Sequence, residues 1–127
     1  MAVKDGLEQF LGWLREVEDK TRMAEADEEH WNHATQDILH HLELEDTSYH
    51  EKARLAKTLA EVRKNRRMAK RYRETTAEIV EWISENESVI RALERVLGSM
   101  RKTEKTLVYR IYHNKTDILE QKQIKRQ

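Results

Sequence analysis

Leu7, Phe10, Leu14, Val17, Ala24, Trp31, Ile38 and Leu42 fall in one heptad frame, and the chain has no proline to interrupt it. Apolar residues repeating every three and four positions put one stripe on one side of a helix. A helix over this span is about 54 Å long at 1.5 Å per residue. That is too long for a compact globule, and its stripe needs a second helix along most of its length. Thr21, Glu28 and Thr35 interrupt the frame at positions that also face inward, so the seam is expected to carry polar layers.

The frame stops at LELEDTSYHE, where Ser48 and, three residues later, Glu51 form a capping-box pattern. A first turn is expected at about 43–48. The second helix carries Leu55, Leu59, Val62, Ala69, Tyr72, Thr76, Ile79 and Ile83, with a shift of frame near Val62 that would change the supercoil locally. SENES, residues 84–88, offers Ser84 or Asn86 as a further cap, and a third frame follows through Ile90, Leu93, Leu97, Met100, Leu107 and Ile111. No Pro or Gly forces a break there, so one very long helix is the alternative; the cap residues favour a break. Gly98 falls inside the third helix, costing roughly 1 kcal/mol relative to Ala unless a neighbour needs the space. The expected fold is all-α: an elongated antiparallel helical bundle or coiled coil of about three long helices. These cover residues 4–43, 49–84 and 87–113 in a single domain (1–113), with a frayed polar tail over 114–127 and one weak helical turn near Ile118 and Leu119.

Charge is strongly blocked although the whole chain is formally neutral. Residues 1–51 are net −10, 52–73 net +9, 74–94 net −5 and 95–127 net +6. The densest run is RKNRRMAKRYR, from Arg63 to Arg73. On a helix, Lys64, Arg67, Lys70 and Arg71 lie opposite the Val62, Ala69, Tyr72, Thr76 face, while Arg66 and Arg73 flank it. If the helices run up, down and up, the acidic end of the first lies beside the basic start of the second, and the third returns its basic half to the same end. The run is then a solvated face that selects helix neighbours. The functional reading is a nucleic-acid contact through Arg63, Lys64, Arg66, Arg67, Lys70 and Arg71, extended by Arg101, Lys102 and Lys105, with Tyr72 free to stack.

Other chemistry has less to stand on. His33, Asp37 and His41 recur at i, i+4 and i+8, and Asp37 and His40 have the carboxylate-x-x-His spacing of di-iron bundles, but no second copy of that motif occurs in the sequence. A solvated polar face accounts for these residues, and no metal or cofactor is expected. With no Cys, no phosphate-cradling glycine loop and no Gly-x-Ser-x-Gly elbow, the chain reads as non-enzymatic. No apolar run approaches the roughly 20 residues that span a membrane, and the first residues do not resemble a signal peptide. Trp13 and Trp82 each precede a frame position by one residue, which half-exposes them, and exposed tryptophan is enriched at protein interfaces. A modest core with polar layers also leaves room for a homodimer.

QDILHHLELED, KTLAEVRKNRRMAKR and RVLGSMRKTEKTLVYRIY, within residues 36–112, resemble a recurring type of small, charged, helical protein from phages and prophages of Gram-positive bacteria. Those proteins are mostly of unassigned function, so the resemblance assigns no site residues. It implies a cytoplasmic, phage-associated accessory protein that binds a host or phage component. Two functions are therefore expected to compete, protein binding through a face bearing Trp13 and Trp82 or through an acidic face, and nucleic-acid binding through the basic face, with a metal-dependent bundle through His33, Asp37 and His41 as a third alternative.

Overall fold

The computed structural model describes residues 2–109 and 113–119, and shows three long α-helices and no strand among them. Helix α1 runs Val3–Leu44, α2 Tyr49–Glu85 and α3 Glu87–Tyr109. The Asp5 carboxylate accepts from the Ala2 N–H at 3.0 Å at the start of α1, the reaching-back half of a capping box. Ser48 caps α2 as its sequence predicts, its Oγ accepting from the Glu51 N–H at 3.2 Å. Beside it, the Thr47 hydroxyl is buried and has no hydrogen-bond partner among the described residues, a local cost of roughly 1–3 kcal/mol.

Polar contacts between the helices fix their directions. Along α2, Glu51 faces His41, Arg73 faces Glu28 and Thr76 faces Thr21, so α2 runs antiparallel to α1. Along α3, Glu94 faces Arg15, Arg101 faces Glu8 and Glu104 faces Lys4, so α3 also runs antiparallel to α1. Helix α3 therefore extends α2 in the same direction and does not turn back. The molecule is an antiparallel helical hairpin whose second arm has two segments. The up, down and up arrangement is corrected by this, and with it the placing of both basic blocks at one end.

Asn86 explains the junction. It is the single residue outside helical geometry between the segments, with φ −120° and ψ 29°. Its N–H bonds to the Ile83 carbonyl at 3.2 Å and its side-chain amide to the Trp82 carbonyl at 2.8 Å. Reversing a helix takes a connection of about 2–8 residues, and one residue only interrupts it. The break expected at 84–88 is present; the reversal is not.

Leu55, Val62, Ala69, Thr76, Ile83, Ile90 and Leu97 step by seven through the junction, each buried or half-buried. The frame therefore does not shift near Val62. What changes is the second seam position, from Leu59, Arg66 and Arg73 to Tyr72, Ile79, Asn86, Leu93 and Met100, and the change falls between Tyr72 and Arg73. In α1, Leu11 at 6% exposure takes the inward place expected of Phe10, which is 41% exposed. Leu107, expected in the third frame, is also exposed, because the ion pair at Lys4 and Glu104 already lies at the start of α1. Ile111 and the expected helix end at 113 involve residues 110–112, which lie outside the described residues, as do residues 120–127 of the tail. Ile118 and Leu119 are helical, as expected.

The apolar core is Leu11, Leu14, Ile83, Ile90 and Leu97, flanked by Leu7, Ile79 and Leu93. Toward the turn the seam becomes polar. Thr21 and Thr76 hydroxyls meet at 2.7 Å, and Glu28 takes the Arg73 guanidinium at 2.7 Å, both at inward positions. No helix is long and apolar enough to cross a membrane among the described residues.

Candidate protein and nucleic-acid interfaces

The hairpin has two unlike faces, and the ion pairs identify them. At 100° per residue, Glu8 and Arg15 fall on one side of the Leu7, Leu11, Leu14 seam, and Val3, Phe10 and Trp13 on the other. On the second arm, Glu94 and Arg101 fall on one side of Ile90 and Leu97, while Trp82, Val89, Val96 and Leu107 fall on the other. Because Glu8 pairs with Arg101 and Arg15 with Glu94, the ionic sides coincide. The apolar sides must then coincide as well.

On the apolar face, Trp13 is 48% exposed and stacks on Phe10 with centroids 6.4 Å apart; Trp82 is 38% exposed. Both tryptophans singled out from the sequence therefore lie on one side of the molecule. Val3, Ala92, Val96, Met100 and Leu107 line a groove of about 580 Å³, with Lys4 and Glu104 at its end. Nearer the turn the same side carries exposed Met23 and Met68, which line a second groove with Trp31 and Tyr72. Sequence reasoning missed Val89 and Val96. The signal was present as a second heptad step, Trp82 to Val89 to Val96, running beside the inward one.

The ionic face holds the basic run. Arg63, Arg66, Arg67 and Lys70 line a concavity of about 310 Å³. Of the seven basic residues from Arg63 to Arg73, only Lys70 and Arg73 are ion-paired among the described residues, with Glu74 at 3.9 Å and Glu28 at 2.7 Å. Arg63, Lys64, Arg67 and Arg71 are exposed and left to solvent or to a ligand, while Arg66 is half-buried at the seam and makes no ion pair among the described residues. The block pairing between helices expected of this run is realised as an ion pair at Arg73 among the described residues, with the charges of Lys70 and Arg66 also acting on Glu28. The hydrogen bond from Arg73 is the main reason the Glu28 carboxyl titrates below its ordinary range, helped by the charges of Lys70 and Arg66 and opposed by partial desolvation. Arg101, Lys102 and Lys105 do not join the patch: they lie about 45 Å farther along the second arm, and Arg101 is paired with Glu8.

The histidines are not gathered. His33, Asp37 and His41 are exposed on α1, and no three potential metal ligands converge among the described residues. His41 instead approaches Glu51 across the turn at 3.7 Å, and His30 meets the edge of Trp31.

No family model, curated protein or solved structure matches the chain.

Proposed function

We propose that the chain is a non-enzymatic interaction protein that binds a protein through the apolar face bearing Trp13 and Trp82. The observation carrying this reading is the gathering of Val3, Phe10, Trp13, Trp82, Val89 and Val96 on one side of the hairpin, with ion pairs along the other. Scattered exposed apolar residues need no explanation, whereas an apolar side that carries two exposed tryptophans has the composition of an interface core. The resemblance to small phage proteins supports an accessory role in a host or phage process. A photo-crosslinking residue placed at Trp13 or Trp82 in producing cells should trap a protein adduct, with none from the same probe at Glu18 on the ionic side. Equal yields at both faces, or none at either, would sink the reading.

A second reading is favoured by the five unpaired cations around the Arg63 to Lys70 concavity. A helix face of this kind neutralises nucleic-acid phosphates, and such binding weakens linearly in log affinity against log salt. Replacing Arg63, Lys64, Arg66, Arg67, Lys70 and Arg71 with Gln should abolish binding to duplex or single-stranded nucleic acid while helicity is retained. Wild-type protein that binds neither at physiological salt removes this reading.

A further inference from the structure

We infer that the occupant of the apolar face is a second copy of this chain, packed antiparallel about a two-fold axis near Val89 to give a four-helix bundle. This rests on the reading of that face as a protein interface and names its partner. The first argument is charge. Of the charges that make no ion pair within the hairpin among the described residues, 74–83 hold Glu78 and Glu81, whereas 95–104 hold Arg95 and Lys102; Glu74, Arg101 and Glu104 are already paired with Lys70, Glu8 and Lys4. An antiparallel two-fold through Val89 lays 74–83 of one copy along 95–104 of the other, acid against base. A parallel pairing stacks acid on acid and base on base, which like-charge repulsion disfavours.

The apolar pattern has the same centre. Trp82, Val89 and Val96 are spaced by seven, so the operation that sets Val89 on its own counterpart sets Trp82 of each copy against Val96 of the other. Trp13 lies across the hairpin from the same stretch, since Arg15 pairs with Glu94. Residue 85 then comes within reach of residue 95, bringing Glu85 to Arg95, which lines the edge of the groove.

Size agrees as well. The overlap from residue 74 to 104 is about 45 Å long and, two helices wide, about 20 Å across. That presents roughly 900 Å² per copy, close to the ~800 Å² per partner of a stable specific interface. The Arg63 to Lys70 concavity lies on the opposite face and stays open in such a dimer.

Sedimentation equilibrium of the full chain tests this. Twice the 15.3 kDa chain mass is expected at micromolar concentration. Val89→Glu, at an outward position that the hairpin core does not use, should raise the dissociation constant about 100-fold or more while circular dichroism stays helical. Arg95→Glu should weaken the dimer about fivefold, and adding Glu85→Arg on the same chain should restore it. Only the antiparallel geometry predicts that restoration, because a parallel dimer places each swapped charge beside its own copy. A monomer throughout, or a dimer indifferent to Val89→Glu, overturns the inference. If a monomeric chain still gives an adduct with a different protein at Trp13, the interface reading stands and the second copy is eliminated. If no adduct forms at either tryptophan, the interface reading itself fails.

Discussion

The two halves of the hairpin use the same seam differently. Toward the open end, Leu7 to Val17 of α1 meet Ile79 to Leu97 of the second arm, and the inward positions are almost wholly leucine, isoleucine and valine. Toward the turn, Thr21, Glu28 and Thr35 sit at the inward positions of α1, with Arg66, Arg73 and Thr76 opposite. Area removed from water carries the first half, at about 25 cal/mol per Å². In the second, polar layers gain less stability but give the helices one register in which their partners match. The open half supplies most of the apolar outer face, and the turn half supplies the basic one.

Truncating the apolar core should separate the halves most sharply. Leu14 is 2% exposed, and Leu14→Ala should cost about 2–5 kcal/mol in urea unfolding, transfer and cavity terms together. Leu42, an inward but half-buried residue near the turn, should cost about 1 kcal/mol in the same substitution. Equal costs would mean that the turn half is as tightly packed as the open half, and the contrast would be lost.

Gly98, in the open half, gives an effect of opposite sign. A Cβ there would meet nothing within 4 Å, so no neighbour in the hairpin requires glycine. Gly98→Ala should stabilise by about 1 kcal/mol through helix propensity alone. A loss of stability instead would show that a further surface packs closely on α3 at this point.

What the sequence made legible follows the same division. Caps are local chemistry, so Ser48 with Glu51 and the break at Asn86 could be read directly from residue types. The polar layers could also be read, because Thr21, Glu28 and Thr35 keep seven-residue spacing. The direction of α3 was hidden, since a heptad pattern is the same whether a helix returns or continues. The clue was that Ile83, Ile90 and Leu97 keep their spacing across SENES, as one arm requires and a reversing loop does not. Phe10 reads as core in the sequence because Phe10 and Leu11 are adjacent and both satisfy a three-to-four pattern; only the position of the partner helix selects Leu11. The two-sidedness of the site needed the pairings of Arg15 with Glu94 and Glu8 with Arg101, which no single-helix pattern contains.

The threonine pair tests whether the turn half is built for register more than for stability. Thr21 lies 2.7 Å from the Val17 carbonyl, Thr76 2.9 Å from the Tyr72 carbonyl, and the hydroxyls 2.7 Å from each other. Two hydroxyl protons cannot serve all three contacts at once, so each hydroxyl retains a carbonyl partner when the other is removed. Thr21→Val with Thr76→Val should therefore change stability by less than about 1 kcal/mol, lost hydrogen bonding being offset by added apolar burial. Spin-label distances between α1 and α2 should broaden as neighbouring registers become accessible. An unchanged distance distribution with a loss above about 2 kcal/mol would make the pair a source of stability instead.

The smallest expected effect comes from the other polar layer and appears only as a pH dependence. Held by Arg73, the Glu28 carboxyl has a folded-state pKa below its ordinary value of 4.5, so the folded chain binds this proton less readily than the unfolded chain. Its contribution is complete above 4.5 and fades as pH falls through the folded-state value. Arg73 stays charged throughout, its own pKa being raised by the same hydrogen bond, so the carboxyl alone titrates. Glu28→Gln removes the titrating group and keeps its shape. The stability difference between wild type and Glu28→Gln should be constant at neutral pH and shrink below 4.5, with wild type the more stable wherever a difference exists. No difference at any pH would show that Glu28 acts only by packing, which Gln reproduces, leaving the threonines as the polar layer that sets the register.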